Sequence, residues 1–288
     1  MEWLNVLIQG SLLGGLYALF AIGLSLSFGI MRLVNIAHGD LIVLCAYVAL
    51  IVVQGTGLDP VSSLIIVLPV MFVAGYLLQR GLLNFTLEGG LLPPLLVTFG
   101  ISVIIQNALL LGFGAYTHRL QQGAIETQSL VLPGDIAIGV YPVIIFAVAV
   151  LSIAGLQLLF FKTKIGRAFR AASDDADTAE LMGINKRHLF ALAMAIAMIF
   201  TALAAVLFAI RTNFDPASGP TRLILAFEAV IIGGLGSMWG TLIGGMILGI
   251  AQAVGAALSP TWQILAGHLA FLVILIILPS GLFPRTRD

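Results

Sequence analysis

The sequence has 288 residues, of which 60% are hydrophobic and 9% charged, and its mean hydropathy is +1.13. Its 13 basic and 13 acidic residues cancel, so bulk charge offers no argument for binding nucleic acid. Cys45 is the single cysteine, so an intrachain disulfide is excluded. It lies in an apolar run, which makes redox chemistry unexpected. These properties place the chain among integral membrane proteins.

Apolar runs long enough to cross a bilayer recur along the chain. A membrane helix needs about 20 apolar residues. On that criterion the sequence predicts spans near 4–28, 38–54, 61–83, 93–113, 141–161, 189–211, 222–258 and 262–282. The first run follows an acidic rather than a basic start, so we expect a retained membrane helix and not a signal peptide. The predicted fold class is an all-α integral membrane protein with about eight transmembrane helices.

Two of these runs are interrupted by glycine. The seventh is too long for one helix and carries GGLGSMWG at 233–240, so we predict a break into 222–234 and 240–258. The first half holds a similar segment, LSLSFGIMRLVNIAHGD, at 24–40. Interrupted segments in corresponding positions of two pseudo-repeated halves indicate a transport pathway. The predicted pathway residues are Asn35, His38, Gly39, Glu228, Gly233, Gly234 and Gly236.

Each pathway prediction has a plainer alternative. Asn35 and His38 would also suit a polar loop at the membrane surface that starts a helix. Glu228 is an acid deep in an apolar run, and such residues are costly and usually functional. It would equally suit a structural carboxylate bonded to a neighbouring helix, or a protonated one. We interpret His118, His188 and His268 as loop or packing residues.

Further glycines form small-xxx-small pairs, Gly240 with Gly244 and Gly245 with Gly249. This spacing lets two helices approach closely, so we interpret the pairs as packing surfaces. The Gly-rich stretch lacks the Gly-Lys-Ser/Thr ending of a phosphate loop, and no phosphate loop, HExxH, paired CxxC or GxSxG occurs in the sequence. If nucleotide drives this protein, another subunit must bind it.

The long polar passage is 162–188, which holds six of the 13 basic and four of the 13 acidic residues. Ser173 is predicted to cap a short helix, with Asp174, Asp175 and Asp177 in the first turn. Gly183 is predicted to end it. A helix of about ten residues is marginal alone, so we expect a partner protein to supply a surface for it.

Orientation follows from the basic residues in the loops. If 162–188 is cytoplasmic, ten basic residues lie inside and Arg119, Arg211 and Arg222 lie outside. The inside residues are Arg32, Arg80, Lys162, Lys164, Arg167, Arg170, Lys186, Arg187, Arg285 and Arg287. The N-terminus is then outside and the C-terminus inside, provided that the seventh run crosses twice. Residues 114–140 become an outer loop with a turn at 133–135.

Four stretches together resemble the permease subunits of branched-chain amino-acid ABC importers. They are 14–49, 98–107, 164–185 and 229–252, and they cover nearly the whole chain in order. The match is to the LivH type, whose marker N-x-A-H-G stands here at 35–39. The resemblance implies one transmembrane permease domain, 1–288, with 162–188 as a coupling loop within it.

The resemblance also implies partners. Such permeases pair as heterodimers in the bacterial inner membrane, and a periplasmic binding protein delivers their substrate. Two cytoplasmic ATPase subunits bind ATP and Mg, so no cofactor is expected in this chain and no enzymatic activity of its own. The coupling helix would be 171–183, with Ala172, Ala176, Ala179 and Gly183 nestled in an ATPase groove. The implied coupling residues are Arg170, Ala171, Ala172, Asp174, Asp175, Ala176, Ala179, Glu180 and Gly183.

The substrates of the family include branched-chain amino acids and related small carboxylates and amides. The sequence departs from the family pattern in two places. A basic-proline segment is replaced by QRGLLNFTLEGG at 79–90, and a usual lysine is Leu225, three residues before Glu228. We therefore hypothesise that Glu228 contributes to a substrate other than the aliphatic amino acids. Two alternatives stay open: a stand-alone channel or ion-coupled carrier using Glu228, and a membrane enzyme using His38 and Asp40.

Overall fold

The computed structural model describes residues 2–87, 90, 92–132 and 136–283. Eleven helices and one two-stranded hairpin make up the secondary structure of this part, apart from short 3-10 turns. Their bounds are α1 Glu2–Met31, α2 His38–Thr56, α3 Leu64–Gly81, α4 Leu92–Phe113, β1 Ser129–Leu132, β2 Ile136–Gly139, α5 Val140–Lys162, α6 Lys164–Asp174, α7 Ala176–Leu181, α8 Lys186–Arg211, α9 Gly219–Gly233, α10 Met238–Leu258 and α11 Trp262–Ile277.

The predicted spans correspond to helices throughout, so the all-α membrane fold is confirmed. In the part of the chain that the structure describes, seven helices are long and apolar enough to cross a membrane. The seventh predicted run is broken, and its halves are α9 and α10, with the break at 234–237. Helix α11 is apolar but shorter, and ends at Ile277 although the sequence predicted a span to 282.

Helix α1 is the centre of the bundle, because most of its residues beyond Gly10 are buried. It runs antiparallel to α10 and meets it at glycines. A Cβ on Gly14 would lie 2.5 Å from the carbonyl oxygen of Gly245, and one on Gly249 would lie 2.3 Å from that of Gly10. Only glycine permits such an approach, so the packing interpretation of these glycines is confirmed.

The two ends of the bundle differ. At one, Gln9 of α1 donates a hydrogen bond of 2.7 Å to the carbonyl of Ala137 in the β1–β2 hairpin, and we name this the hairpin end. At the other, Arg32 donates to the carbonyl of Ser173 at 3.4 Å, and we name this the polar-loop end. The strands are antiparallel, with Ser129 opposite Gly139. The predicted turn at 133–135 lies outside the described residues, as do Arg285 and Arg287.

The chain leaves α1 at the polar-loop end and turns back into the bundle before α2 begins. Arg32 has a φ of 53°, and residues 32–35 are neither helix nor strand. The ring of His38, the first residue of α2, is joined through Nε2 to the carbonyl of Phe20 at 2.7 Å. Phe20 precedes the end of α1 by about three turns, or roughly 16 Å. Helix α2 therefore starts within the bundle and not at its surface.

The α9–α10 turn lies at the polar-loop end. A Cβ on Gly29, near the end of α1, would lie 3.2 Å from Gly236 in that turn. Residues beyond α11 return to the same place, where the N–H groups of Leu282 and Phe283 donate to the carbonyls of Ile232 and Gly233 at 2.9 and 3.1 Å. The start of α9 follows Phe214, whose backbone pairs with His118 in the loop after α4. Helix α9 thus runs from the hairpin end towards the polar-loop end.

Candidate translocation and coupling sites

The N-I-A-H-G segment is mostly buried. Its first three residues lie outside the helices, and His38 and Gly39 begin α2. Asn35 and His38 are 2% and 3% exposed. The side chain of Asn35 accepts from the N–H of Ala37 at 3.0 Å, and the N–H of Ile36 donates to Thr98 of α4 at 3.2 Å. Unwound backbone at membrane depth is tolerated where protein satisfies its polar groups, and here it does. The segment is therefore no surface loop, which sets aside the plainer alternative for these residues.

Helix α2 begins against the first turn of α9. A Cβ on Gly39 would lie 2.1 Å from the carbonyl oxygen of Gly219, so both helix starts need this glycine. Next to it, Asp40 is 2% exposed and accepts hydrogen bonds from Ser102 at 2.6 Å and Gln106 at 2.9 Å. Two side chains of α4 thus satisfy this buried carboxyl. His38 and Asp40 face different partners and do not form a pair.

Glu228 is bonded to a residue that sequence analysis had set aside. Its Oε1 is 2.5 Å from Nδ1 of His268 in α11. The side chain of Glu228 is 6% exposed and that of His268 is 38% exposed. The structure thus corrects the interpretation of His268 as an isolated loop or packing residue. Forty positions separate the two in sequence, so no local spacing could have revealed the pair.

Arg222 does not neutralise Glu228. Its guanidinium lies 4.5 Å from the ring centroid of Phe208 in α8, a cation–π contact. His118 also stays a packing residue, because its ring lies against Tyr47 and Phe214 with centroids 5.5 and 6.1 Å apart.

The glycines of the break serve a tight turn between two helices in contact. Gly234 and Gly236 have φ values of 97° and 82°, which side chains rarely adopt. A Cβ on Gly233 would lie 2.1 Å from the carbonyl oxygen of Gly240. Ser237 then caps α10 by accepting from the N–H of Gly240 at 3.1 Å.

The predicted pathway residues do not meet in one place. Gly39 packs on the first turn of α9, Glu228 lies about 13 Å further along that helix, and Gly233 ends it. A rotation of about 180° separates Gly219 from Glu228, so Gly39 contacts the face of α9 opposite to the one that bears Glu228. Helix α9 is the element that these residues share.

The coupling segment is two short helices and not one. Helix α6 continues to Asp174, and Asp175 then adopts an extended conformation and caps α7. Its carboxylate accepts from the N–H groups of Asp177 and Thr178 at 3.0 and 3.1 Å. The predicted cap at Ser173 is wrong, because Ser173 lies inside α6. Asp175 caps α7 because its backbone is extended between the two helices, which lets its carboxylate reach the N–H groups of the following turn.

Gly183 ends α7 as predicted. Its φ is 87°, its N–H donates to the carbonyl of Glu180 at 2.9 Å, and the N–H of Ile184 donates to that of Ala179 at 3.1 Å. This pair of bonds defines a Schellman motif, which favours glycine at that position.

The small residues of the coupling segment face two ways. Ala172 and Ala179 are 4% and 5% exposed and pack on this chain's own core, so they are not free to enter a groove of another protein. Ala176 is half-buried, and Arg170 donates to the carbonyl of Phe160. The exposed members of the predicted set are Ala171, Asp174, Asp175, Glu180 and Gly183.

Two exposed apolar side chains were missed. Leu181 and Met182, at the end of α7, are 88% and 81% exposed. They stand among acidic residues, since Glu180 precedes them and Asp177 lies one turn back. The sequence signal was present in the E-L-M-G run, where two large apolar residues come just before the helix-ending glycine. We name Leu181 and Met182, with Glu180 and Gly183, the α7 tip.

Comparison with known proteins gives consistent matches. The family described as "Branched-chain amino acid transport system / permease component" matches residues 6–278. The chain is 30% identical to the high-affinity branched-chain amino acid transport system permease protein BraD of Pseudomonas aeruginosa, over 99% of this chain and 96% of that protein. It is 28% identical to LivH of Escherichia coli K12, with the same coverage of both chains. A probable LivH protein of Methanocaldococcus jannaschii is 30% identical over 87% of this chain and 80% of its own length. No solved structure matches the chain.

Proposed function

The chain belongs to the permease family of branched-chain amino acid transport systems, and on that premise we propose that it carries amino acids across the inner membrane as part of an ATP-driven importer. It is a multi-pass membrane permease component of the ABC type. The proposed complex contains a second permease, two cytoplasmic ATPase subunits and a periplasmic binding protein. Branched-chain amino acids, which the relatives' names specify, are the first substrates to consider.

The exposed apolar side chains of the α7 tip support the proposal that ATPase subunits bind this chain. Leu181 and Met182 project from a polar loop, where such exposed side chains are unfavourable unless a partner covers them. Methionine and leucine adapt well to an apolar pocket. The sequence has no phosphate loop, so ATP and Mg would bind in the partner that covers this tip.

The proposed movement begins at the α7 tip and reaches the bundle through Arg32. This residue donates to Ser173 at 3.4 Å and starts the unwound segment that leads to His38. A cavity of about 250 Å³ between Arg32 and the α6–α7 junction leaves room for the two parts to shift. Displacement of α6 and α7 by an ATPase would then change how α1 and α2 pack on α9, as alternating access requires.

The proposed orientation places the polar-loop end in the cytoplasm and the hairpin end in the periplasm. The excess of basic residues at the polar-loop end supports it. The N-terminus is then periplasmic and the C-terminus cytoplasmic. The binding protein would dock at the hairpin end.

Glu228 does not by itself support an ion-coupled carrier. Its hydrogen bond to His268 at 2.5 Å gives it a structural partner within this chain. The relatives are named as permease proteins, and no contact in the described structure favours the carrier over the importer. We propose in addition that Glu228 contributes to the binding of a substrate other than the aliphatic amino acids. Uptake of a panel of labelled amino acids by the Glu228→Gln variant tests this. An unchanged substrate range and an unchanged rate would contradict it.

The test of the importer is co-purification of the tagged chain from its native membrane, followed by an ATPase assay. We expect an ATPase and a second permease to be recovered with it. The double variant Leu181→Ser, Met182→Ser should no longer co-purify with the ATPase subunit, because it lacks the apolar side chains that anchor the contact. The ATPase activity of the purified sample should fall by about 90%.

Leu130→Ser is the matched control. Leu130 is 59% exposed and lies in β1, at the hairpin end. The control variant should retain the ATPase at wild-type levels. Recovery of the chain without an ATPase, together with uptake that needs no nucleotide, would contradict the proposal.

A further inference from the structure

Helix α9 is packed on several sides by its own chain. A Cβ on Gly219 would lie 2.0 Å from Asp40 of α2, and one on Gly244 of α10 would lie 2.1 Å from the carbonyl oxygen of Ala229. On a further side, Glu228 is bonded to His268 of α11. These contacts hold α9 between α2, α10 and α11.

One side of α9 is left open. Ile224 is 49% exposed, and Phe227 and Ile231 are half-buried. Spacings of three and four residues place all three on one face of a helix. We name this face the open strip of α9.

The Glu228–His268 pair borders the open strip. Glu228 follows Ile224 by four residues, so their side chains are neighbours along the helix. The side chain of His268 is 38% exposed and lies about 9 Å along α11 from the start of that helix, a depth that we expect to fall within the membrane. Ionisable groups at such depth face protein or a water-filled cavity and not lipid. In this chain alone, however, nothing among the described residues covers the exposed part of His268.

We propose that the open strip of α9, bordered by the Glu228–His268 pair, is a wall of the aqueous substrate passage that this chain forms with the second permease subunit. The identity of the subunit opposite rests on the proposed function. The aqueous character of the strip rests on the ionisable pair beside it, whose His268 side chain is partly exposed. The passage therefore runs beside α9 and past Glu228, while Asn35 and His38 support the start of α2 from inside the bundle.

Cysteine accessibility in native membranes tests this. Ile224→Cys is compared with Val70→Cys, each in a Cys45→Ala background that removes the native thiol. Val70 is 47% exposed in α3, close to the 49% of Ile224, and both are β-branched and about six residues from the hairpin end of their helix. A membrane-impermeant sulfonated thiol reagent is added from both sides, and the labelled fraction is followed with time.

We expect Ile224→Cys to react at least about ten-fold faster than Val70→Cys, because the reactive thiolate forms in water and not in lipid. Phe227→Cys, on the same strip, is an independent second variant and should behave like Ile224→Cys. Equal, slow labelling of the strip and control positions would overturn the assignment of the passage.

The labelling result is separable from the importer proposal because labelling needs neither ATP nor transport. If the chain recovers an ATPase but the strip stays unlabelled, only the passage assignment fails. If the strip is labelled in a chain that recovers no ATPase, the passage stands and the importer proposal fails.

Discussion

The carboxylate of Asp175 marks the point where α6 gives way to α7. It accepts from the hydroxyl of Thr178 at 2.6 Å as well as from two backbone N–H groups. The Thr178 hydroxyl, followed by the Thr178 N–H, lowers the pKa of Asp175 below its usual value. A lowered pKa means that folding favours the charged form. The resulting stability is present above about pH 4 and is lost as the pH falls through the folded-state pKa.

We therefore expect α7 of the wild type to lose hydrogen-exchange protection on acidification. The Asp175→Asn variant should not show this loss, because asparagine keeps a capping oxygen but has no titratable group. Hydrogen exchange of residues 176–182 at pH 7 and at pH 3, corrected for intrinsic rates, measures the protection. Asp174→Asn is the control and should behave as wild type, since Asp174 is exposed and does not cap α7. Equal acid loosening in Asp175→Asn and wild type would refute the role of this carboxylate.

Single-residue roles were the hardest part to predict from the sequence. The ending of α7 at Gly183 was predictable, because a glycine after a polar helix is a local signal. The use of Asp175 and not Ser173 as the cap was not predictable, because it depends on where α6 ends as it packs on the rest of the chain. The Glu228–His268 pair depends on the packing of α9 against α11, which no local pattern encodes.

At the scale of elements, close contact between α9 and α10 relies on glycine. In Gly244→Ala the new Cβ would meet the carbonyl oxygen of Ala229 at 2.1 Å, a backbone atom that cannot move alone. Overpacking of this kind costs about 1–3 kcal/mol. We expect a clear drop in the thermal midpoint of the detergent-solubilised protein, measured by intrinsic fluorescence.

The matched control is Gly155→Ala in α5, where a Cβ would meet nothing within 4 Å. Alanine is the better helix former by about 0.5–1 kcal/mol, so the midpoint should hold or rise. A drop of equal size in both variants would show that glycine matters here for flexibility and not for contact.

The elements themselves were largely predictable. Long apolar runs require helices in a membrane, and GGLG requires a break, so the bounds of α9 and α10 followed within a few residues. The division of the coupling segment was missed, because the prediction treated 171–183 as one helix. The sequence also could not predict which neighbouring helix packs on each helix face, because a run that is apolar all round does not indicate which of its sides is packed.

At the scale of the whole molecule, the orientation depends on whether α9 and α10 both cross the membrane. Helix α9 is only about 22 Å long, which is short for a full span. Its ends nevertheless reach opposite ends of the bundle, because its start follows the Phe214–His118 pairing and the turn after it lies beside Gly29 of α1. Helix α10 returns alongside α1. This geometry favours two crossings, which agree with the excess of basic residues at the polar-loop end.

Two crossings predict that Ser218 is periplasmic and Ser280 cytoplasmic. In a Cys45→Ala background, Ser218→Cys should react with an impermeant thiol reagent added to intact spheroplasts, and Ser280→Cys only after lysis. Both positions lie outside the helices, just before α9 and just after α11, so their cysteines should be accessible from water. Labelling of both from the same side would mean that α9 and α10 together cross the membrane only once. The basic residues after α11 would then fall on the side opposite to the polar loop, and the excess of basic residues that supports a cytoplasmic α7 tip would shrink.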